Sequence, residues 1–122
     1  MGDEENALKT YLETVHYVPN HVNANNNIGV IYFNRKLYDS ALVYFQKAYA
    51  VDPNNSNAVG NIGAIYQNKG NMEKAKEFYE KAIVIAPSAN VYANLANVYY
   101  SLGDREKGKF YEEKSQELRQ SQ

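Results

Sequence analysis

The three prolines of the chain constrain its fold more than any other feature of the sequence. They are Pro19, Pro53 and Pro87, and each lies 34 residues from the next. The same offset relates further pairs of identical residues, which are Ile28 and Ile62, Gly29 and Gly63, Ile31 and Ile65, Tyr32 and Tyr66, Asn34 and Asn68, Ala41 and Ala75, and Ala48 and Ala82. A fixed period of this length indicates a repeat array, in which each unit buries its apolar face against the next unit.

Each unit contains two amphipathic helices, because its apolar residues recur at helical spacing in two separate runs. Small residues at Gly29, Ala41 and Ala48 leave room for a large neighbour such as Tyr32 or Phe45, so two antiparallel helices can approach closely. Pro53 and Pro87 end the second helix, since proline lacks the amide donor and restricts the residue before it. The polar residues that follow these prolines can cap the next helix; they are Asn54, Asn55, Ser56 and Ser88.

The order of these residues resembles the tetratricopeptide repeat family, whose 34-residue unit carries a Leu-Gly pair, a Tyr, an Ala, an aromatic residue, an Ala and a Pro. The matching residues are Ile28-Gly29, Tyr32, Ala41, Phe45, Ala48 and Pro53 in one unit, then Ile62-Gly63, Tyr66, Ala75, Tyr79, Ala82 and Pro87 in the next. A third unit begins with Leu95-Ala96 and Tyr99.

The resemblance implies an all-α fold, a right-handed α-solenoid of antiparallel helix-turn-helix units with seven helices. We predict one domain over residues 1–122. Its parts are the second helix of an incomplete repeat at 1–19, complete repeats at 20–53 and 54–87, and a closing repeat at 88–122.

The closing repeat is expected to be polar on its outer side, because a terminal unit has no neighbour there. Gly108, Glu112 and Ser115 occupy slots where the family has Ala, an aromatic residue and Ala. Residues 114–120 are also almost entirely polar. We therefore expect the last helix to serve as the cap of the array.

The other end of the sequence enters the pattern halfway through a repeat. Leu8, Leu12 and Val15 then lack half of the packing partners that a complete unit provides. We expect these three residues to form an assembly contact, either with a second copy of the chain or with another domain, unless the sequence is a fragment of a longer array.

Asparagine is placed unevenly along the chain. None of its 16 copies lies in the second helices predicted at 38–52, 72–86 and 105–122. On the first helices the asparagines share one face, because the spacing i, i+4, i+7, i+11 returns to the same side of an α-helix. The residues at this spacing, called the stripe below, are Asn23, Asn27, Val30, Asn34, Asn57, Asn61, Ala64, Asn68, Asn90, Asn94, Asn97 and Ser101. Asn costs about 0.5–0.7 kcal/mol per helical site relative to Ala, so its use here indicates a role other than helix formation.

A side-chain amide carries both a donor and an acceptor, so it can bind the N–H and C=O of one peptide unit of an extended chain. The stripe resembles the ladder in the superhelical repeats of the O-linked N-acetylglucosamine transferase family. The residues carried over are Asn27, Asn61 and Asn94, each directly before the Ile-Gly or Leu-Ala pair. We predict a protein-interaction module that binds an extended peptide in a concave groove lined by the first helices, with self-assembly through the incomplete N-terminal end as the alternative.

The stripe allows two further interpretations. The asparagines can be a solvated helix face without function, although the equally solvated second helices use Lys, Glu and Gln instead. The carboxylate clamp of tetratricopeptide repeats, which holds C-terminal carboxylates, requires basic residues on the first helices. The chain has Asn23, Asn26, Asn57, Gly60, Asn90 and Ala93 at those places, so we do not expect this type of co-chaperone.

Composition narrows the function classes further. The 13 basic and 14 acidic residues give a net charge of −1, so no general field attracts nucleic acid or an acidic membrane. The chain has no cysteine, and no run of about 18 apolar residues that would predict a membrane span. His16 and His21 have no acidic or thiol partner at ligand spacing, and no catalytic motif is present. We expect a protein or peptide partner and a possible homo-oligomer, with no nucleic acid, membrane, metal, cofactor or catalytic residue. The compartment is left open, with the cytoplasm as the working assumption.

Overall fold

The computed structural model describes residues 2–121, which form seven α-helices and no strand. The helices are α1 (Gly2–Tyr17), α2 (Val22–Asn34), α3 (Tyr38–Val51), α4 (Ser56–Asn68), α5 (Met72–Ile85), α6 (Ala89–Ser101) and α7 (Arg105–Gln120). The predicted all-α fold with seven helices is confirmed.

The helices stack in chain order. The most extensive contacts join α2 to α3, α4 to α5 and α6 to α7, which are the helix pairs of the three complete units. Each pair meets the next through α3 with α4 and α5 with α6, while α1 packs on α2. The first helices α2, α4 and α6 also touch one after another. Because each unit contacts only its neighbours, residues 2–121 form a solenoid of helix-turn-helix units.

Side-chain caps begin five of the helices. Asn55 and Ser88, two of the residues expected as caps, accept a hydrogen bond from the backbone N–H three residues later. The other three caps are His21, Asn71 and Asp104. His21 caps α2, because its Nδ1 accepts a hydrogen bond of 3.0 Å from the backbone N–H of Ala24.

The turn inside each unit requires one residue with positive φ. Gly70 and Gly103 supply it in the second and third units, at φ 83° and 85°. In the first unit the equivalent residue is Lys36, at φ 63°. Lys36 thus has a left-handed backbone conformation, which residues other than glycine adopt at an energetic cost.

The core confirms the expected packing of a small residue against a large one. A Cβ added to Gly29 would lie 2.7 Å from Cε1 of Phe45, and one added to Gly63 would lie 2.9 Å from Cδ1 of Tyr79. Both aromatic rings are buried, with Phe45 at 0% exposure. The helix pairs of these two units are therefore as close as they are because the first helix lacks a side chain at this point.

The closing repeat is built differently. Glu112 is exposed where the other units bury an aromatic ring, and the ring over the small residue comes instead from Tyr100, which covers Gly108. Ser115 is 3% exposed and donates a hydrogen bond of 2.8 Å to the backbone oxygen of Ala89. The rest of α7 is mostly exposed and polar, as expected for a closing helix.

Candidate functional site

The stripe is accessible along its whole length. The helices α2, α4 and α6 have 13 residues each, and the stripe occupies their second, sixth, ninth and thirteenth positions. None of its residues is buried: Asn61, Ala64 and Asn94 are half-buried, and the other nine are exposed. The stripe is thus accessible on all three first helices.

Five stripe residues come together in one concavity of about 270 Å³ between α4 and α6. They are Asn57, Asn61, Ala64, Asn90 and Asn94. The remaining lining residues are Ser56 and Gly60 of α4, Val91 of α6 and Tyr79 of α5. We call this space the α4–α6 pocket. Among the described residues, none that lines it is charged, and the lining residues include four asparagines, one serine and one tyrosine.

Tyr79 lies at the buried side of this pocket. Its hydroxyl donates a hydrogen bond of 2.8 Å to Oε1 of Gln67, and the residue is 1% exposed. Burial raises the pKa of Tyr79, and a hydrogen bond with the Asn94 side chain offsets part of that rise. The phenol therefore remains neutral at physiological pH, and its hydroxyl is held by Gln67.

Asn97 lies in a second, smaller concavity of about 230 Å³ between α6 and α7. Glu112, Ser115 and Arg119 are among the residues that line it. Arg119 also donates a hydrogen bond of 3.4 Å to Oδ1 of Asn90, so this arginine stands at the border of the two concavities. The closing repeat thus brings charged groups to one end of the stripe.

The remaining stripe residues do not line either of these two concavities. Asn23, Asn27, Val30 and Asn34 are exposed on α2, and Ser101 is exposed at the end of α6.

Asn68 is engaged within the chain. Its Nδ2 donates 2.8 Å to the backbone oxygen of Ala64, and its Oδ1 accepts a hydrogen bond from Tyr38 at 3.5 Å. Its amide is therefore less available to a ligand than the other stripe amides.

Two other asparagines of α2 are buried, which the sequence pattern did not predict. Asn25 is 0% exposed, and its Nδ2 donates 3.0 Å to the backbone oxygens of Pro19 and His21. Asn26 is 7% exposed and donates 3.1 Å to Oδ1 of Asn55, the cap of α4. Both side chains leave a buried Oδ1 without a hydrogen-bond partner within the described chain. They hold the turn before α2 and join α2 to α4.

Leu8, Leu12 and Val15, the residues expected as an assembly contact, pack in part against α2. Leu8 is 8% exposed in a cluster with Ile28 and Ile31 of α2, and Leu12 and Val15 are half-buried against the same cluster. All three thus have partners on α2, while Leu8 and Leu12 also line a concavity of about 610 Å³ on the surface of α1. The assembly contact at these residues stays a prediction.

A neighbouring face of α1 is covered less completely than its equivalents on α3 and α5. Ala7, Tyr11 and Thr14 are the 34-residue equivalents of the Ala, aromatic and Ala residues that α3 and α5 bury almost completely. On α1 these three residues are half-buried, and Tyr11 contacts the cluster of Leu8, Ile28 and Ile31. Among the described helices α1 contacts α2 alone. In α3 and α5 the equivalent face is covered by the first helix of the same unit. We call Ala7, Tyr11 and Thr14 the open face of α1.

Within residues 2–121 no group of three or more His, Asp or Glu side chains is arranged to hold a metal ion. None of the helices in that range is long and apolar enough to cross a membrane.

Comparison with known proteins gives matches to one repeat family and to solved structures. A tetratricopeptide repeat model matches residues 22–55 and 56–88, and a second model of the same repeat matches residues 89–122. The curated proteins give no match.

The solved structures most similar to the chain include three of MamA. A MamA RS-1 ArsTM double mutant is 24% identical with a TM-score of 0.88, over 98% of this chain and 68% of that chain. A crystal structure of the MamA protein is 24% identical with a TM-score of 0.88, over 97% and 65%. MamA 41-end from Desulfovibrio magneticus RS-1 is 24% identical with a TM-score of 0.87, over 99% and 69%. The chain thus spans about two thirds of these proteins, and the likeness concerns the fold.

Proposed function

Because the chain belongs to the tetratricopeptide repeat family, whose repeats mediate protein–protein interactions, we propose that it binds an extended segment of a partner protein along the stripe. The observation that carries this proposal is the α4–α6 pocket, where Asn57, Asn61, Asn90 and Asn94 converge. Carboxamides from two successive first helices can bind consecutive peptide groups of one extended chain.

The expected affinity follows from the hydrogen bonds. One bond between a side-chain amide and a peptide group contributes about 1 kcal/mol net, because each partner gives up a bond to water. Three rungs at Asn27, Asn61 and Asn94 then contribute about 3 kcal/mol, whereas micromolar binding requires about 8 kcal/mol. Side chains of the bound segment must therefore find contacts of their own beside the ladder.

The test compares two triple variants of the protein. Extended 12-residue peptides are first selected by display on the wild-type protein, and their dissociation constants are measured by fluorescence polarisation. We expect the variant Asn27→Ala, Asn61→Ala and Asn94→Ala to lose binding by at least about 100-fold, which corresponds to about 3 kcal/mol.

The matched control is Asn6→Ala, Asn20→Ala and Asn54→Ala, which removes three exposed amides that lie outside the stripe. It should leave the affinity unchanged. Circular dichroism should show at least wild-type helicity for both variants, since Ala is the better helix former. Unchanged affinity of the stripe variant would exclude peptide binding by these amides.

A second candidate function is self-assembly through the open face of α1. The observation that favours it is the contrast in burial: Ala41, Phe45 and Ala48 are 0% exposed, while their equivalents on α1 are half-buried. A second copy related by a two-fold axis perpendicular to α1 would place two α1 helices antiparallel across this face. Ala7 of one copy would then face Thr14 of the other.

This geometry makes the second candidate testable by a charge pair. Light scattering of the wild-type protein should show a dimer at high concentration, and Ala7→Glu should give a monomer, because two carboxylates would be desolvated at the contact. Adding Thr14→Lys should restore the dimer through the cross-copy pair. Ala50→Glu, at an exposed site of α3, is the control of equal charge. A wild-type monomer at every concentration would exclude this function.

A further inference from the structure

The two gaps between successive first helices have different chemistry at equivalent positions. Gly60 on α4 occupies the position that Asn26 holds on α2, the fifth of each helix. Tyr79 replaces Phe45 at the packing position of the second helix, and Gln67, which accepts the hydrogen bond of Tyr79, replaces Phe33. Of these residues, Gly60 and Tyr79 line the α4–α6 pocket.

The gap between α2 and α4 is bridged by the chain itself. The Asn26 side chain reaches from α2 to the cap of α4, where its Nδ2 lies 3.1 Å from Oδ1 of Asn55. Asn26 is 7% exposed, so its side chain occupies the space between the two helices. A ligand side chain cannot enter there without displacing it.

The gap between α4 and α6 has no such bridge. A Cβ added to Gly60 would lie 3.8 Å from Cγ2 of Val91, which is an ordinary van der Waals contact. The packing of α4 on α6 therefore does not require glycine, unlike the packing at Gly29 and Gly63. Glycine also weakens a helix by about 1 kcal/mol relative to alanine. Neither close packing nor helix stability accounts for glycine at this position. What Gly60 does provide is the space of about 270 Å³ beside it.

The groups that line this space determine which kind of ligand side chain can bind there. They present donors and acceptors on Ser56, Asn57, Asn61, Asn90 and Asn94, and none of the lining residues is charged. A charged ligand group would lose hydration without meeting an opposite charge. An aliphatic group would cover the amides without giving them hydrogen bonds. A primary carboxamide offers two N–H donors and one acceptor oxygen, which match the same groups on the walls.

We infer that the α4–α6 pocket receives one carboxamide side chain, Gln or Asn, of the bound segment and thereby gives the interaction its sequence preference. This inference rests on the proposed binding of an extended segment along the stripe. The contacts of Asn27, Asn61 and Asn94 with peptide groups, called the ladder, do not depend on the side chains of the ligand. The pocket, in contrast, contacts one side chain of the ligand.

The test uses a peptide obtained by display selection on the wild-type protein. We expect the selected sequences to share a Gln or Asn at one position. Synthetic versions of one selected peptide then carry Gln, Ser, Leu, Glu or Lys at that position, and their affinities are measured by fluorescence polarisation. The Gln peptide should bind at least about tenfold more tightly than each of the others.

Two protein variants connect this preference to the pocket. Gly60→Asn copies the neighbouring repeat and fills the space, so the preference for Gln should fall to less than about twofold while the ladder still binds. Gly60→Ala adds one methyl group and is the control, which should retain most of the preference.

Different outcomes would refute the pocket preference and peptide binding along the stripe. Peptides that bind with no preference at any position, or a preference that survives Gly60→Asn, would overturn the pocket and leave the ladder intact. A folded protein that selects no peptide at all would overturn both proposals.

Discussion

The close approach of α2 and α3 depends on a single missing side chain, that of Gly29. Introducing Ala at this position places a Cβ 2.7, 2.8 and 2.9 Å from three ring atoms of Phe45. The ring has no room to retreat, because Phe45 is 0% exposed and packs against the next first helix. We therefore expect Gly29→Ala to destabilise the protein, although alanine is the better helix former.

Two opposing contributions set the magnitude. Alanine in a helix interior gains about 1 kcal/mol over glycine. Overpacking of a filled core costs about 1–3 kcal/mol, and three contacts below 3 Å place Gly29→Ala in the upper part of that range. The net loss in the free energy of unfolding is then about 1–2 kcal/mol.

Gly60→Ala is the matched control, because it makes the same chemical change on the equivalent helix of the next unit. Its added Cβ meets only Cγ2 of Val91, at 3.8 Å. We expect this variant to gain about 0.5–1 kcal/mol from helix propensity. The difference between the two variants, about 2–3 kcal/mol, isolates the steric cost because the propensity gain cancels.

The assay is urea unfolding followed by circular dichroism, with thermal melts as a second reading. A difference of 2–3 kcal/mol corresponds to about 6–15 °C in Tm for a chain of this size. Adding Phe45→Leu to Gly29→Ala should cost less than the sum of the two single changes, since a smaller side chain relieves the contact. Equal stabilities of Gly29→Ala and Gly60→Ala would refute the reasoning.

Further predictions concern turns, caps and pH. Lys36→Gly should raise the free energy of unfolding by about 1 kcal/mol in urea titrations, because Lys36 holds φ 63° at a turn where glycine is free of strain. Asn55→Ala should lower it by about 1–3 kcal/mol, since Asn55 caps α4 and accepts from the buried Asn26 amide. Burial raises the pKa of Tyr79 and Tyr99 above the usual 10.0, so the folded state favours the neutral phenols. The stability that this gives is complete below about pH 10 and is lost as the pH rises further. The urea concentration at the unfolding midpoint should therefore decrease as the pH is raised from about 9 to about 11. The decrease should be smaller in the double variant Tyr79→Phe and Tyr99→Phe.

Much of the fold could be predicted from the sequence because the repeat is a local signal read several times. The spacing of Pro19, Pro53 and Pro87 gives the period, and the helix boundaries follow it closely. The packing of small residues against large ones was also predictable, and the structure pairs Gly29 with Phe45. The stripe was found by the same logic, and every one of its residues is accessible.

The fate of individual polar residues could not be predicted in the same way. Asn25, Asn26 and Asn27 are consecutive, yet the first two are buried and the third is exposed. Successive residues on a helix point about 100° apart, so burial depends on which other helix lies over each direction. The same applies to Leu8, an apolar residue whose partner on α2 the sequence did not identify.

The sequence by itself therefore determined the period, the seven helices and the face on which asparagine accumulates, because each of these is a property of one helix or one unit read alone. Only the tertiary structure decided which amides converge, which are already bonded within the chain and where space remains between helices. Asn26 and Gly60 show the difference: they occupy equivalent positions, but one bridges its gap and the other leaves it open. The reason is physical, since a cavity is bounded by several helices and no single helix encodes it.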